Sequence, residues 1–274
     1  MNKVKLVCEI GINHNGNLEI AKRLIKIAES FDCDYVKLQK RTVDLVYTKE
    51  ELDKPRDSPW GKTNREQKYG LEFGPKEYGE INVYCKINNI GWFASPWDVK
   101  SVEFLPPYRP AYMKVPSALI TNFTLLEAIK KTNIPVIIST GMSTKDEVDK
   151  CVEYLGDQLE YILACNSQYP TPKEDMNLNH IKTLKECYIH HKIGFSNHNP
   201  GILFCIAAAT LGAEMLEFHV TLDRASYGTD QPASIEPGGI MKISKYVRDL
   251  EKAMGTGEWI ISPGEEIIRK KLRR

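Results

Sequence analysis

The chain has 274 residues, 42% of them hydrophobic, enough to bury a full core in one large α/β barrel or in two smaller domains. Its 37 lysines and arginines nearly balance 36 aspartates and glutamates, a net charge of +1 that excludes the basic footprint of a nucleic-acid or acidic-membrane binder. Residues 1–8 lack the apolar run of a secretion signal and no window is apolar for the length of a bilayer, while the 7 cysteines form no CxxC pair, which predicts a reducing, cytoplasmic setting.

Taken in chain order, short β-rich runs fall at residues 4–10, 35–39, 91–95, 111–115, 135–140, 161–167, 192–196 and 215–221. Helical patterns lie between them, at 17–30, 122–132, 145–155 and 201–212. Eight strand-helix units predict a TIM (β/α)8 barrel. A doubly wound sheet is the alternative, but the first run leads into Asn13-His14-Asn15-Gly16 and not into a GxGxxG loop. Residues 40–75, rich in charge, Pro and Gly, are too long for an ordinary connection. Trp60 and the Tyr69-Gly70-Leu71-Glu72-Phe73 run predict an ordered active-site flap there, and the basic end at 269–274 reads as a solvated helix end.

In a parallel barrel alternate residues face the axis, and catalytic groups collect at the C-terminal ends of the strands. The strand ends supply Glu9, Lys37 with Gln39, Ser95, Lys114 with Ser117, Ser139, Asn166 with Ser167, Ser196 with His198, and Glu217 with His219. Val36, Leu38, Leu216 and Phe218 then fall on the helix-facing side.

Two lysines and several serines at one barrel mouth suit a phosphorylated anion, because ammonium groups neutralise its charge and hydroxyls donate to its oxygens. His198 and His219, each following an apolar run, suit a divalent ion completed by Glu9, by Asp230 or through water. Ion and anion together imply carbon-carbon bond chemistry on a phosphorylated compound.

The motifs Glu9-Ile10-Gly11-Ile12-Asn13-His14-Asn15-Gly16, Val36-Lys37-Leu38-Gln39, Ser139-Thr140-Gly141-Met142, Tyr169-Pro170-Thr171-Pro172, Ser196-Asn197-His198 and Leu216-Glu217-Phe218-His219 resemble those of the sialic acid synthase family. Trp60-Gly61-Lys62-Thr63 and the 230–237 segment extend the resemblance over nearly the whole chain. It implies a TIM barrel that condenses phosphoenolpyruvate with N-acetylmannosamine, or a related acylamino hexose, and releases phosphate by C–O cleavage. It assigns phosphoenolpyruvate to Lys37, Ser95, Lys114, Ser117, Ser139, Ser167 and Ser196, and manganese or magnesium to His198 and His219. The sugar falls to Glu9, Gln39, Tyr169 and Asp230, with Glu9 or Glu217 as the proton-transfer group. A homodimer is the implied assembly.

Three departures qualify the resemblance. Where family members carry an acidic sugar contact after the second lysine, this chain has Leu119, which cannot bind a hydroxyl; Ser167 stands where an Asn is usual. Family enzymes continue into a small antifreeze-like domain, whereas the sequence ends at Arg274, so the expectation is one catalytic barrel over 1–274 without that domain. A legionaminic or pseudaminic acid synthase and a non-catalytic phosphoenolpyruvate-binding barrel are the alternatives. A synthase acting on a sugar phosphate needs a second phosphate site, and no additional basic cluster stands at a strand end.

Overall fold

Eight parallel strands close on themselves in chain order in the computed structural model, which describes residues 3–273. They are β1 (Lys5–Gly11), β2 (Tyr35–Lys40), β3 (Gly91–Pro96), β4 (Met113–Val115), β5 (Val136–Ser139), β6 (Leu159–Cys165), β7 (Lys192–Asn197) and β8 (Met215–His219). Closure is made by β8 against β1, with Lys5 opposite Met215 and Glu9 opposite His219. A helix follows each strand: α1 (Leu18–Ser30), α2 (Pro75–Ile87), α3 (Val99–Phe104), α4 (Phe123–Lys131), α5 (Lys145–Leu155), α6 (His180–Cys187), α7 (Leu203–Thr210) and α8 (Pro237–Ala253). The expected TIM barrel is the fold.

Local chemistry sets the helix starts. Asn17 accepts from the backbone amides of Glu19 and Ile20, and Asn122 from that of Leu125, satisfying donors that the first helical turn leaves free. At α5, Thr144 and Glu147 form a reciprocal capping box.

Alternation along the strands sorts the side chains. Leu6, Cys8, Val36, Leu38, Ala94, Ile138, Ile162, Leu216 and Phe218 pack outward into the main core beneath the helices. Inward, Val7, Phe93, Tyr112, Ile137, Leu163 and Met215 join Tyr161 in a second cluster at the barrel floor. The residues two positions further on, Glu9, Ser95, Lys114, Ser139, Cys165 and Glu217, form the polar layer above it. On β7 the floor position is Gly194, where a Cβ would lie 2.4 Å from Leu163 Cδ2 and 2.7 Å from the Met215 carbonyl oxygen. Glycine there lets neighbouring side chains fill the axis.

Three strands differ from the sequence expectation by two residues at one or both ends, and the other five by one at most. β6 begins at Leu159 and stops at Cys165, because Asn166 leaves the ladder: its side chain accepts from the Gln168 amide and donates to the Asp175 carbonyl. Asn166 is thus a turn former outside the wall of the barrel-mouth cavity. β4 is only three residues long, and beyond His219 pairing is reduced to a single bridge between Val220 and Ile235.

The 40–75 insertion is regular where irregular chain was expected. It holds short helices at Val43–Val46 and Lys49–Asp53, a hairpin of Pro55–Ser58 with Gly61–Thr63, and a helix at Asn64–Leu71. Two T-x-x-E capping boxes, Thr48 with Glu51 and Thr63 with Glu66, start two of these helices. The insertion is ordered, as expected of a flap, by contacts with the barrel: Lys40 pairs with Glu72 at 2.9 Å, Asp98 Oδ2 accepts from the Thr42 amide at 2.6 Å, and Trp60 meets Tyr227 edge-on at 5.9 Å. Gly70 leaves room for the Trp60 indole, whose Cγ would be 2.1 Å from a Cβ at that position.

All 7 cysteines are free and five of them are buried, in keeping with their reading as small hydrophobes. No helix among the described residues is long and apolar enough to cross a membrane. The last helix, Pro263–Leu272, carries exposed Arg269, Lys270 and Lys271, the solvated end expected of that run.

Candidate active site

Every site residue named from the sequence except Asn166 and Asp230 lines one cavity of about 590 Å³, mouth included, at the C-terminal end of the barrel. Asp230 lines an adjoining cavity of about 460 Å³ that shares Gln39 as a wall. Its carboxylate Oδ2 lies 3.7 Å from His219 Nδ1, so it borders both spaces.

At the centre lies a buried charge array. Lys37 Nζ is 2.6 Å from Glu217 Oε1 and 3.5 Å from Glu9 Oε2, and Lys114 Nζ is 4.0 Å from the same Glu217 oxygen. Ser196 donates to Glu217 at 3.2 Å, and Lys114 donates to Ser139 at 2.6 Å. Burial opposes ionisation of Glu217, yet Lys114 and Lys37 outweigh it and bring the carboxyl down to about 2. Glu9 is different. Burial dominates there, and with Lys37 drawn toward Glu217 its carboxyl is pushed up to about 7; Gln39 donates to it at 2.8 Å. Burial also brings the Lys114 ammonium down to about 8, whereas the two carboxylates, set against burial, hold Lys37 above its ordinary value. At neutral pH the array thus holds two ammonium groups, one firm carboxylate and one carboxyl half protonated. That balance favours a bound anion.

Serines ring the other side. Ser117 Oγ accepts from the Gly141 amide at 3.1 Å, and a Cβ on Gly141 would lie 2.3 Å from Ser167 Oγ and 2.9 Å from Ser117 Oγ. Only glycine lets these hydroxyls converge beside Lys114. Ser95 completes the wall toward Lys37.

The two histidines sit opposite, with ring centroids 5.4 Å apart. His198 Nδ1 faces the Asn166 carbonyl, which can only accept, so Nδ1 carries a proton; Nε2 lies 2.7 Å from the Tyr169 hydroxyl, and, against burial, Cys165 with that carbonyl holds the imidazole above its ordinary value. His219 Nδ1 is buried without a hydrogen-bond partner, and burial pushes that imidazole down to about 3, keeping it neutral. Among the described residues no three His, Cys, Asp or Glu side chains converge as a full cage. His219 through its orphaned nitrogen, and His198 through the Nε2 that faces the Tyr169 hydroxyl, fit a divalent ion that takes that hydroxyl's place and draws its remaining ligands from substrate and water.

Sequence reasoning missed Trp97, Met142 and Cys165 in the cavity wall, together with the role of Gly141. Cys165 was legible, since it continues the inward series Tyr161, Leu163; Trp97 and Met142 lie beyond strand ends, where alternation carries no information. Leu119, expected to shape the acceptor pocket, does not line it. It packs half-buried against the main core from a single 3-10 turn, Ser117–Leu119, and Ala118 takes the place in the wall.

The sequence profile of the NeuB family matches residues 24–259. The chain belongs to the NeuB family. The N-acetylneuraminate-9-phosphate synthase of Homo sapiens is 36% identical over 272 residues, covering 97% of this chain and 76% of that protein. An N,N'-diacetyllegionaminic acid synthase of Campylobacter jejuni is 33% identical over 289 residues, 99% of this chain and 85% of that protein. Among solved structures, the N-acetylneuraminic acid synthetase of Leptospira borgpetersenii in complex with citrate superposes with a TM-score of 0.86 at 30% identity, over 100% of this chain and 93% of that one. This NeuB protein is therefore an enzyme, a transferase of the sialic and nonulosonic acid synthase type.

Proposed function

We propose that this NeuB barrel condenses phosphoenolpyruvate with N-acetylmannosamine or a related acylamino hexose, giving a nine-carbon keto acid and inorganic phosphate. The observation that carries this reading is the Lys37–Glu217–Lys114 array, buried beside a ring of serines and facing the His198 and His219 imidazoles.

Lys37, Lys114 and the serines at 95, 117, 139, 167 and 196 hold the phosphate and carboxylate of phosphoenolpyruvate, the Gly141 cradle supplying hydroxyls at the close side. Gln39, Tyr169 and Asp230 place the sugar with its aldehyde between Glu9 and the histidines. C3 of phosphoenolpyruvate attacks the aldehyde carbon, and the aldehyde oxygen takes the proton that Glu9 holds at neutral pH. Positive charge at C2 then faces the Glu217 carboxylate, which stays ionised. Water adds at C2 and returns a proton to Glu9; the C2–O bond to phosphate then breaks, phosphate leaves with the bonding electrons and takes the proton of the new C2 hydroxyl, and a keto group remains. His198 and His219 would hold manganese or magnesium, which when bound supplies Lewis-acid polarisation of the aldehyde.

Phosphoenolpyruvate consumption, followed with N-acetylmannosamine, with 2,4-diacylamino hexoses and with no acceptor, tests the reading. The expected result is consumption only with an acylamino hexose, abolished by chelation and restored by manganese. His219→Ala, folded by circular dichroism, should not respond to manganese; full activity in that variant removes the metal assignment.

A further inference from the structure

Gln39 joins the proton-transfer group to the insertion. Its Nε2 donates to Glu9 Oε1 at 2.8 Å, and its Oε1 accepts from an amino group of Arg41 at 2.6 Å. The two ends of a carboxamide have nearly the same shape, so the neighbours' hydrogen bonding decides which end points where. Glu9 cannot decide it, because in the reaction above that carboxyl gives up a proton and regains it, and so donates and accepts in turn. Arg41 can, since a guanidinium only donates. Oε1 of Gln39 therefore faces Arg41 throughout the cycle, and an N–H faces Glu9.

Both ends of this chain are built into place. The Arg41 guanidinium carbon lies 4.2 Å from the centroid of the Trp97 ring. Its amide and the Lys40 ammonium share the Glu72 carboxylate, and the Trp97 amide donates to the Lys40 carbonyl at 3.0 Å. At the other end Gly11 adopts a φ of +54°, and a Cβ there would lie 3.1 Å from both Gln39 Nε2 and Glu9 Oε1. Glycine leaves their hydrogen bond undisturbed.

The consequence falls on Glu9. An oxygen that accepts from an N–H is the carbonyl oxygen of a neutral carboxyl, so with Oε1 taken by Gln39 the proton resides on Oε2. That oxygen is buried without a hydrogen-bond partner among the described residues, 3.5 Å from Lys37 Nζ. We infer that Arg41 is a positioning residue: held on Trp97, it fixes the Gln39 amide so that Glu9 carries its transferable proton on Oε2, the oxygen left free for the substrate aldehyde. A flipped amide would present its own oxygen to Glu9, bind that proton and withdraw it from the substrate. This rests on the synthase reading and adds to it a residue of the insertion that acts on the chemistry without touching the reacting atoms.

The test is a double-mutant cycle between Arg41→Met and Gln39→Leu in the manganese-loaded enzyme, with phosphoenolpyruvate and the acylamino hexose that the wild type turns over best. Arg41→Met alone should lower kcat by about tenfold or more, the scale of one charge-assisted hydrogen bond, with the KM for phosphoenolpyruvate unchanged. In the Gln39→Leu background, itself slower, the same change should cost nothing further, because Arg41 acts through that amide. Arg41→Lys keeps a donor over the Trp97 ring and should lose less than Arg41→Met, again with no further loss beside Gln39→Leu, so the cycle is read on whichever variant folds by circular dichroism. An unchanged kcat, a rise in the phosphoenolpyruvate KM in place of the fall in kcat, or losses that add in the double variant overturns the inference; additive losses are what a direct sugar contact or a general structural role gives. No turnover of any acylamino hexose by the wild type removes the synthase reading and this inference with it, an outcome distinct from additive losses.

Discussion

Lys37 Nζ lies 2.6 Å from Glu217 and 3.5 Å from Glu9, and this difference divides the labour of two carboxyl groups at the same depth in the barrel. The nearer is held ionised at about 2, while the farther, left to burial, rises to about 7. A proton donor and a permanent anion thus face one pocket.

Glu9→Gln removes the proton and keeps the hydrogen-bonding shape. It is expected to lower kcat by about 100-fold or more, within the range of a lost general acid, with little change in the KM for phosphoenolpyruvate. Glu217→Gln should lower that KM along with kcat, because it frees both lysines from a carboxylate that competes with the substrate anion. Steady-state kinetics on the two variants separates these outcomes; equal effects on kcat and KM contradict the division.

Lys114 sets an upper pH limit. Its ammonium, brought down to about 8 by burial, is charged below that value and neutral above it, so the anion site loses a cation as pH rises. The kcat/KM for phosphoenolpyruvate should fall above about pH 8, and Lys114→Arg, which stays charged, should shift that limb upward or remove it. A limb unmoved by Lys114→Arg assigns the titration elsewhere.

Much of this site was legible in the amino-acid sequence because period-two alternation is strict in a buried strand. Lys37 with Gln39 and Glu217 with His219 had to face the axis once Val36, Leu38, Leu216 and Phe218 were placed under the helices. The same rule covers the floor of the barrel. It fails past the strand ends, where Trp97 and Met142 enter the wall and Leu119 turns away from it, since loop direction depends on contacts distant in sequence.

Gly194→Ala tests the packing of the floor. Its methyl would meet Leu163 and the Met215 carbonyl well inside contact distance, so the variant should lose about 1–3 kcal/mol of stability by denaturant unfolding. Leu163→Ala in that background should recover part of the loss; a neutral Gly194→Ala contradicts a filled floor.

The central claim, condensation with cleavage of the C2–O bond, is tested most directly with phosphoenolpyruvate carrying heavy oxygen in the bridging position. After turnover with the preferred acylamino hexose, mass spectrometry should find the label in the released phosphate and a nine-carbon keto acid without it. Label retained in the organic product, or phosphate released at the same rate without any sugar, contradicts the account.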